Sequence, residues 1–210
     1  MRFSSLLFAL PLIGAVLAAP APAPAAVNDV TGLALEKRAV DVVATVQELA
    51  NTVHGCKPLG PSQTEVDVEV TLGIIVGALE KCGNTLGIDL SLGVDVGVVI
   101  GAVIAPHGDI KKKVADILVQ VIIDINAVIK SCKAEHKKKP KCAALLVRID
   151  VCLTLILKGL ATIISGLLFL IGTLLISLGC ILDGVLVFLL KLLIGILGKL
   201  LGSILCGCIL

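Results

Sequence analysis

The sequence is poor in aromatic residues. It has no tryptophan and no tyrosine, and its four phenylalanines are Phe3, Phe8, Phe169 and Phe188. Proteins that bind single-stranded nucleic acid or sugars usually stack rings on their ligand, and this chain lacks such a platform. Membrane-spanning segments usually carry Trp or Tyr at their ends, which weighs against a spanning helix here. The net charge of +2 is also too small to indicate nucleic-acid binding.

Aliphatic residues and glycine dominate instead. Hydrophobic residues make up 57% of the chain, which also has 21 glycines in 210 residues, whereas ordinary soluble domains are about 45–50% apolar with glycine included. Residues 159–182 carry no charge, and one helix of that length would be long enough to cross a bilayer core of about 30 Å. Such an excess of apolar surface indicates contact with lipid, with another chain or with an interface.

The first 38 residues look like segments that direct export and are then removed. Residues 1–19 have the features of a secretory signal peptide, namely Arg2, an apolar run and small residues before a cleavage site at Ala18 and Ala19. Residues 20–38 form a Pro/Ala-rich propeptide that ends in the dibasic pair Lys37 and Arg38, a pattern typical of a processing site. We therefore expect export and a single mature domain over residues 39–210, more polar over 39–139 and hydrophobic over 140–210.

All eight cysteines lie in this mature region. In an oxidising compartment an even number of cysteines predicts disulfides. The eight are Cys56, Cys82, Cys132, Cys142, Cys152, Cys180, Cys206 and Cys208. None forms a Cys-x2-Cys pair, and the three histidines are scattered, so metal binding is a weak alternative.

Catalytic motifs are missing. The sequence has no Gly-x-Ser-x-Gly elbow, no phosphate-binding loop and no His-Glu-x-x-His. His54 lies near Cys56 and could suggest a nucleophile, but a disulfide beside an exposed histidine is the simpler interpretation for an exported chain. We expect no enzymatic activity, no metal and no cofactor.

The hydrophobic periodicity predicts an all-α fold, a disulfide-linked bundle of about six or seven helices with a very hydrophobic C-terminal half. A capping box of Ser62 and Glu65 would start the second helix and Gly83 would end it. Asp109 would cap a third, strongly amphipathic helix. The predicted helices cover 40–53, 62–81, 109–131, 142–158, 160–180 and 184–205, with a bend at Gly159. Residues 88–98 alternate like a strand but also carry glycines at helical spacing, and we favour a helix there.

If successive helices alternate in direction, the cysteines lie at two opposite ends, or poles, of the bundle. Cys56 would then lie opposite Cys82, because a helix length separates them and a disulfide needs Cα atoms within about 7 Å. The same alternation along the rest of the chain places Cys82, Cys132, Cys142 and Cys180 at one pole. It therefore predicts two bridges among these four. The C-terminal pair would reach Cys56 and Cys152.

This layout of signal, spacer, dibasic site, polar half, hydrophobic half and eight isolated cysteines resembles one group of proteins. These are the secreted, cell-wall-associated proteins of mushroom-forming fungi that act beside hydrophobins. The chain is not itself like a hydrophobin, because hydrophobins carry adjacent Cys-Cys doublets. The resemblance implies a structural, surface-active role in the fungal cell wall or extracellular matrix, aiding aerial hyphae and adhesion to hydrophobic surfaces.

Two other functions stay open, a membrane-inserting or pore-forming protein and an extracellular lipid carrier. The predicted partners are hydrophobic surfaces or wall polymers, with self-assembly and lipid as further options. Two candidate sites follow from the sequence. The apolar interface comprises Leu167, Leu168, Phe169, Leu170, Leu174, Leu175 and Phe188. The basic loop comprises Lys133, Lys137, Lys138, Lys139 and Lys141, which suits either a solvated turn or a patch for acidic groups.

Overall fold

A computed structural model describes residues 40–91 and 109–207, and for residues 197 and 199–207 only the backbone. Every regular element in these ranges is a helix, which confirms the all-α prediction. The seven helices are α1 (Val42–Gly55), α2 (Glu65–Thr85), α3 (Ile110–Ser131), α4 (Ala134–Lys137), α5 (Pro140–Ile163), α6 (Leu167–Ser177) and α7 (Val187–Gly207). The predicted signal peptide and propeptide, with Ala18, Ala19, Lys37 and Arg38, lie outside the described residues.

The long helices alternate in direction, and contacts between their ends show where they meet. The Leu59 N–H, after α1, donates to Ser131 Oγ at the end of α3 over 2.9 Å. Lys139 and Glu65, beside the starts of α5 and α2, are 3.6 Å apart. Asn126 in α3 donates to the carbonyl of Ile181, just after α6, over 3.0 Å. We call this end of the bundle the near pole, and α1, α3 and α6 run toward it.

The opposite end is the far pole. Lys111, in the first turn of α3, places its Nζ 2.7 Å from the position that a Cβ on Gly166 would occupy, so the starts of α3 and α6 meet there. Between the poles, α2 packs on α5, α1 packs on α2 and α3, α6 packs on α3, and α7 packs on α5 and α6. The resulting core is almost entirely aliphatic, with Leu72, Ile122 and Leu153 fully buried at its centre.

The ends of α2 differ from the prediction. Thr64 is the N-cap, and its side chain and that of Asp67 exchange hydrogen bonds with each other's backbone N–H, so the capping box is shifted two residues from Ser62 and Glu65. These bonds hold the pKa of Asp67 below its usual value. The helix also continues past Gly83, because Gly87 with φ 69° provides the left-handed residue that ends it.

The start of α3 was also predicted wrongly in one detail. Asp109 stands at the N-cap position, but its side chain makes no capping hydrogen bond. Before α3, residues 88–91 are turn and loop, so the predicted helix over 88–98 is wrong for those four residues. Residues 92–98 lie outside the described part of the chain.

The apolar stretch over 159–182 is not one helix. Gly159 does not bend the chain as predicted, since α5 continues through it to Ile163. The break falls instead at Gly166, whose φ of 72° is a left-handed conformation that favours glycine. After it, α6 is only 11 residues long and spans about 16 Å. Gly179 with φ 62° then ends α6, and the N–H of Cys180 reaches back to the carbonyl of Leu175.

Candidate functional site: the near pole and the outer side of α6 and α7

The basic loop is largely held by carboxylates at the near pole. Lys137 Nζ lies 2.8 Å from Asp183 Oδ2, which joins α4 to the loop before α7. Lys139 pairs with Glu65 at 3.6 Å. A third lysine, Lys141, lies 3.6 Å from Glu69 Oε2. Three of the five predicted lysines therefore contribute to the contact of α4 and α5 with neighbouring segments.

The other two lysines of the loop face solvent. Lys133 and Lys138 are exposed, and neither has an ion-pair partner among the residues that the structure describes. Lys130, in the last turn of α3, is also exposed and donates from Nζ to the carbonyl of Ile181. Sequence reasoning missed Lys130 because it belongs to a helix and not to the charged run.

A buried asparagine fixes the loop between α6 and α7. Asn126 donates from Nδ2 to the Ile181 carbonyl at 3.0 Å and accepts at Oδ1 from the Asp183 N–H at 2.7 Å. Asp183 in turn accepts from the Val185 N–H at 3.1 Å. Burial raises the pKa of Asp183, but the bonds from Lys137 and Val185 outweigh it and carry that pKa below its usual value. Hydrogen bonds thus fix the loop, and its charged side chain, Asp183, is paired with Lys137.

The outer side chains of this loop are apolar. Leu178 and Ile181 are exposed, and Ile181 keeps 77% of its surface open to solvent. Because Asn126 and Lys130 hold only the backbone carbonyl of Ile181, its side chain remains free to point away from the bundle. We call Leu178 and Ile181 the apolar tip.

The outer sides of α6 and α7 are also apolar. Ile176 in α6 and Ile194 in α7 keep 62% and 66% of their surface exposed, and Phe169 and Val187 are exposed as well. Over residues 159–196, Lys191 is the single exposed charged side chain among those that the structure describes. We call Phe169, Ile176, Val187 and Ile194 the outer set.

The predicted apolar interface only partly coincides with the outer set. Leu167 and Leu175 are buried in the core, and Leu168, Leu170 and Leu174 are half-buried against it. Phe169 is exposed, while Phe188 is half-buried and lies 6.0 Å from Lys191 Nζ. The break at Gly166 sets which residues of α6 face outward, and a glycine in a Gly/Leu-rich run gave no way to foresee that break.

A buried carboxylate ties α7 to the core. Asp150 in α5 is 2% exposed and accepts from the N–H groups of Phe188 and Leu189 at 2.8 and 3.0 Å. It thereby acts as an N-cap supplied by a different helix. Burial raises the pKa of Asp150, and the N–H donors of Phe188, Leu189 and Val187 only partly oppose that effect.

The six described cysteines whose side chains are placed are thiols in this structure. Cys56 and Cys82 lie at opposite poles, as expected, but Cys132, Cys142 and Cys180 lie at the pole of Cys56 and not at that of Cys82. Cys142 lies among Glu65, Glu69, Lys139 and Lys141 at the near pole. Cys82 is 17 residues further along α2 than Glu65, or about 25 Å away, so it cannot pair there. The error arose because the count took the chain across the bundle between α2 and α3, whereas α2 ends and α3 begins at the far pole.

Burial works against activation of the Cys82 and Cys152 thiols. Burial raises the pKa of Cys82 to about 12 and that of Cys152 to about 11, with Glu48 adding to the first. A nucleophilic cysteine needs the opposite shift. Cys206 lies in the last turn of α7, and Cys208 lies outside the described residues, so the prediction that they reach Cys56 and Cys152 stays a prediction.

Comparisons with protein-family models, with curated proteins and with solved structures found no match. Among the helices that the structure describes, none is both long and apolar enough to cross a membrane. No group of three or more His, Cys, Asp or Glu side chains in the same ranges is arranged to hold a metal ion.

Proposed function

We propose that this chain is a secreted, surface-active structural protein of the fungal cell wall or extracellular matrix, which helps hyphae grow into air and attach to hydrophobic surfaces. The proposal depends most on one observation. The α6–α7 region exposes six large apolar side chains, which are the outer set and the apolar tip. Among the side chains that the structure describes within residues 159–196, only one that is charged, Lys191, is exposed. Large apolar side chains exposed on two helices that pack together would favour an interface role in an exported protein.

The core explains why these side chains need not collapse inward. Leu167, Ile171 and Leu175 already fill the inner side of α6, and Asp150 holds the start of α7 against α5. The outer set therefore sits on a packed layer with no space to enter. At an air–water or oil–water boundary, each such side chain would lose its remaining contact with water. Because these side chains are 39–66% exposed, the gain is about half of the 1.5–3 kcal/mol for complete burial.

The bundle offers a matched test. Ile176→Asp with Ile194→Asp places two charges in the outer set, and we expect the oxidised protein to lose most of its ability to lower surface tension and to adsorb to Teflon. Val66→Asp with Val147→Asp makes the same charge change at positions 65% and 56% exposed on α2 and α5. That control should behave like the unmodified chain. Equal losses in both variants, or a wild-type protein indifferent to both surfaces, would refute the proposal.

We also propose that disulfides form after export, where small-molecule disulfides accept the electrons of paired thiols. Cys132 follows α3 and Cys142 lies in the first turn of α5, so both thiols are at the near pole. A bridge between them would close the basic loop. Peptide mapping of the exported protein should find Cys132 joined to Cys142, and a bridge from Cys82 to any near-pole cysteine would contradict the layout described above.

A further inference from the structure

The near pole brings together the apolar tip, which the sequence did not predict, and the lysines of the basic loop. Leu178 and Ile181 project from a loop whose backbone is already fixed by Asn126 and by the left-handed Gly179. Burial of these side chains against a partner would therefore cost little additional ordering of the loop.

Cations flank this tip directly. Lys130 bonds the carbonyl of Ile181 itself, and Lys137 bonds Asp183 two residues later. The α4 segment beside them adds the exposed Lys133 and Lys138. At this pole Asp183, Glu65 and Glu69 are paired with Lys137, Lys139 and Lys141, and the exposed carboxylates are Asp67 and Glu135. Lys130, Lys133 and Lys138 have no carboxylate partner among the described residues, so positive charge is in excess.

We propose that the near pole docks on an anionic lipid surface, with Leu178 and Ile181 in the boundary between headgroups and acyl chains and with Lys130, Lys133 and Lys138 against the headgroups. Aliphatic side chains surrounded by lysines are the pattern of proteins that lie on a membrane without spanning it. Each lysine near an anionic leaflet strengthens binding by about fivefold. An acidic polysaccharide would use the lysines alone and would leave the apolar tip in water, so the pole fits lipid better.

This docking goes beyond the proposed function, because it uses the near pole and a charged lipid surface, whereas the outer set meets uncharged oily or dry surfaces. The docking proposal and the proposed function can therefore be refuted independently of each other. A chain that lowers surface tension but ignores anionic vesicles would overturn the docking and leave the surface-active role intact.

The test is flotation of the full exported chain with vesicles of phosphatidylcholine alone or with about 30% phosphatidylserine, an anionic content that gives the negative surface potential the lysines require. We expect binding to the anionic vesicles that weakens as salt is added. Leu178→Asp with Ile181→Asp should weaken it by at least about tenfold. Lys133→Glu with Lys138→Glu should weaken it by about 25-fold or more.

Two control pairs carry the same chemical changes elsewhere. Ile74→Asp with Val147→Asp alters exposed apolar side chains part-way along α2 and α5, and Lys112→Glu with Lys113→Glu alters exposed lysines at the far-pole end of α3. Both should bind like the unmodified chain. The docking is refuted if neutral vesicles bind equally well or if the near-pole and control pairs behave alike. It is also refuted if polygalacturonate binds in a way that depends on the lysine pair while the Leu178 and Ile181 pair has no effect on vesicles.

Discussion

The exposed positions of α3 include Lys112, Lys113, Asp116 and Gln120, whereas those of α6 are Phe169, Ile176 and Ser177. Both helices bury an aliphatic inner side, and they pack against each other. The two helices therefore contribute to the core in the same way and differ in what they present to solvent. The charged outer side of α3 must stay hydrated, whereas we propose that the apolar outer side of α6 is buried at an interface.

The helix α2 shows that exposed apolar residues alone do not make such a surface. Val66, Val70 and Ile74 are as exposed as the residues of the outer set. Yet Asp67 lies exposed between them, and Glu69 lies beside Val70 in an ion pair with Lys141. Water must stay near these charges, because removing it from a carboxylate costs several kcal/mol. Low charge density, and not apolar exposure by itself, distinguishes α6 and α7.

The largest expected effect tests whether inner and outer residues differ in stability. Leu153→Ala removes a fully buried side chain and should lower the free energy of unfolding by about 2–5 kcal/mol. Phe169→Ala, at a position of α6 that is 39% exposed, should cost less, about 1–2 kcal/mol, since part of the ring is already in water. Urea unfolding measures both, and an equal cost would show that Phe169 belongs to the core.

A smaller effect is expected where α7 joins the core. Asp150→Ala leaves the N–H groups of Phe188 and Leu189 without their acceptor and should cost about 1–3 kcal/mol. Asp150→Asn keeps one acceptor oxygen and should cost less. A wild-type level of stability in the alanine variant would mean that α7 is held by other contacts.

The pH dependence of the same site has a definite sign. Burial raises the pKa of Asp150 in the folded state above its ordinary value of 3.8, so the folded state binds the proton more tightly than the unfolded chain does. This carboxyl therefore favours folding more as the pH falls through its folded pKa. Relative to Asp150→Asn, the unmodified protein should gain stability between pH 7 and pH 4 in urea titrations, and a relative loss would contradict the raised pKa.

The smallest effect concerns the start of α2, on the charged side of the molecule. Thr64→Ala removes the observed N-cap and should cost about 1 kcal/mol. Ser62→Ala, at the cap predicted from sequence, should change stability by less than about 0.5 kcal/mol. Thermal unfolding distinguishes the two, and the reverse order would place the helix start at Ser62.

Much of the helical fold was predictable because its signal is local. The stripe of Val114, Leu118, Ile122 and Ile125 in α3 follows helical spacing, and its boundaries were correct to one residue. The end of α5 was not predictable in this way. Gly159 and Gly166 look alike in sequence, and only packing decides that the first stays helical while the second turns left-handed.

The candidate site was predictable in composition but not in geometry. The basic loop was found from its lysine run, but its pairing with Glu65, Glu69 and Asp183 depends on contacts distant in sequence. The exposed residues of the C-terminal region were mostly missed, because in a run of Leu and Ile every position is equally apolar. Which of them face solvent depends on the break at Gly166 and on the cap from Asp150.

Carbene footprinting of the oxidised protein, free and adsorbed on Teflon, tests most directly whether α6 and α7 form the surface-active side. Ile176 and Ile194 have nearly the same solvent exposure as Val66 and Val147, so all four should label in free solution. On Teflon, we predict that Ile176 and Ile194 lose most of their label while Val66 and Val147 keep theirs. Equal loss at all four positions, or loss at Val66 and Val147 alone, would contradict the proposed role of the outer set.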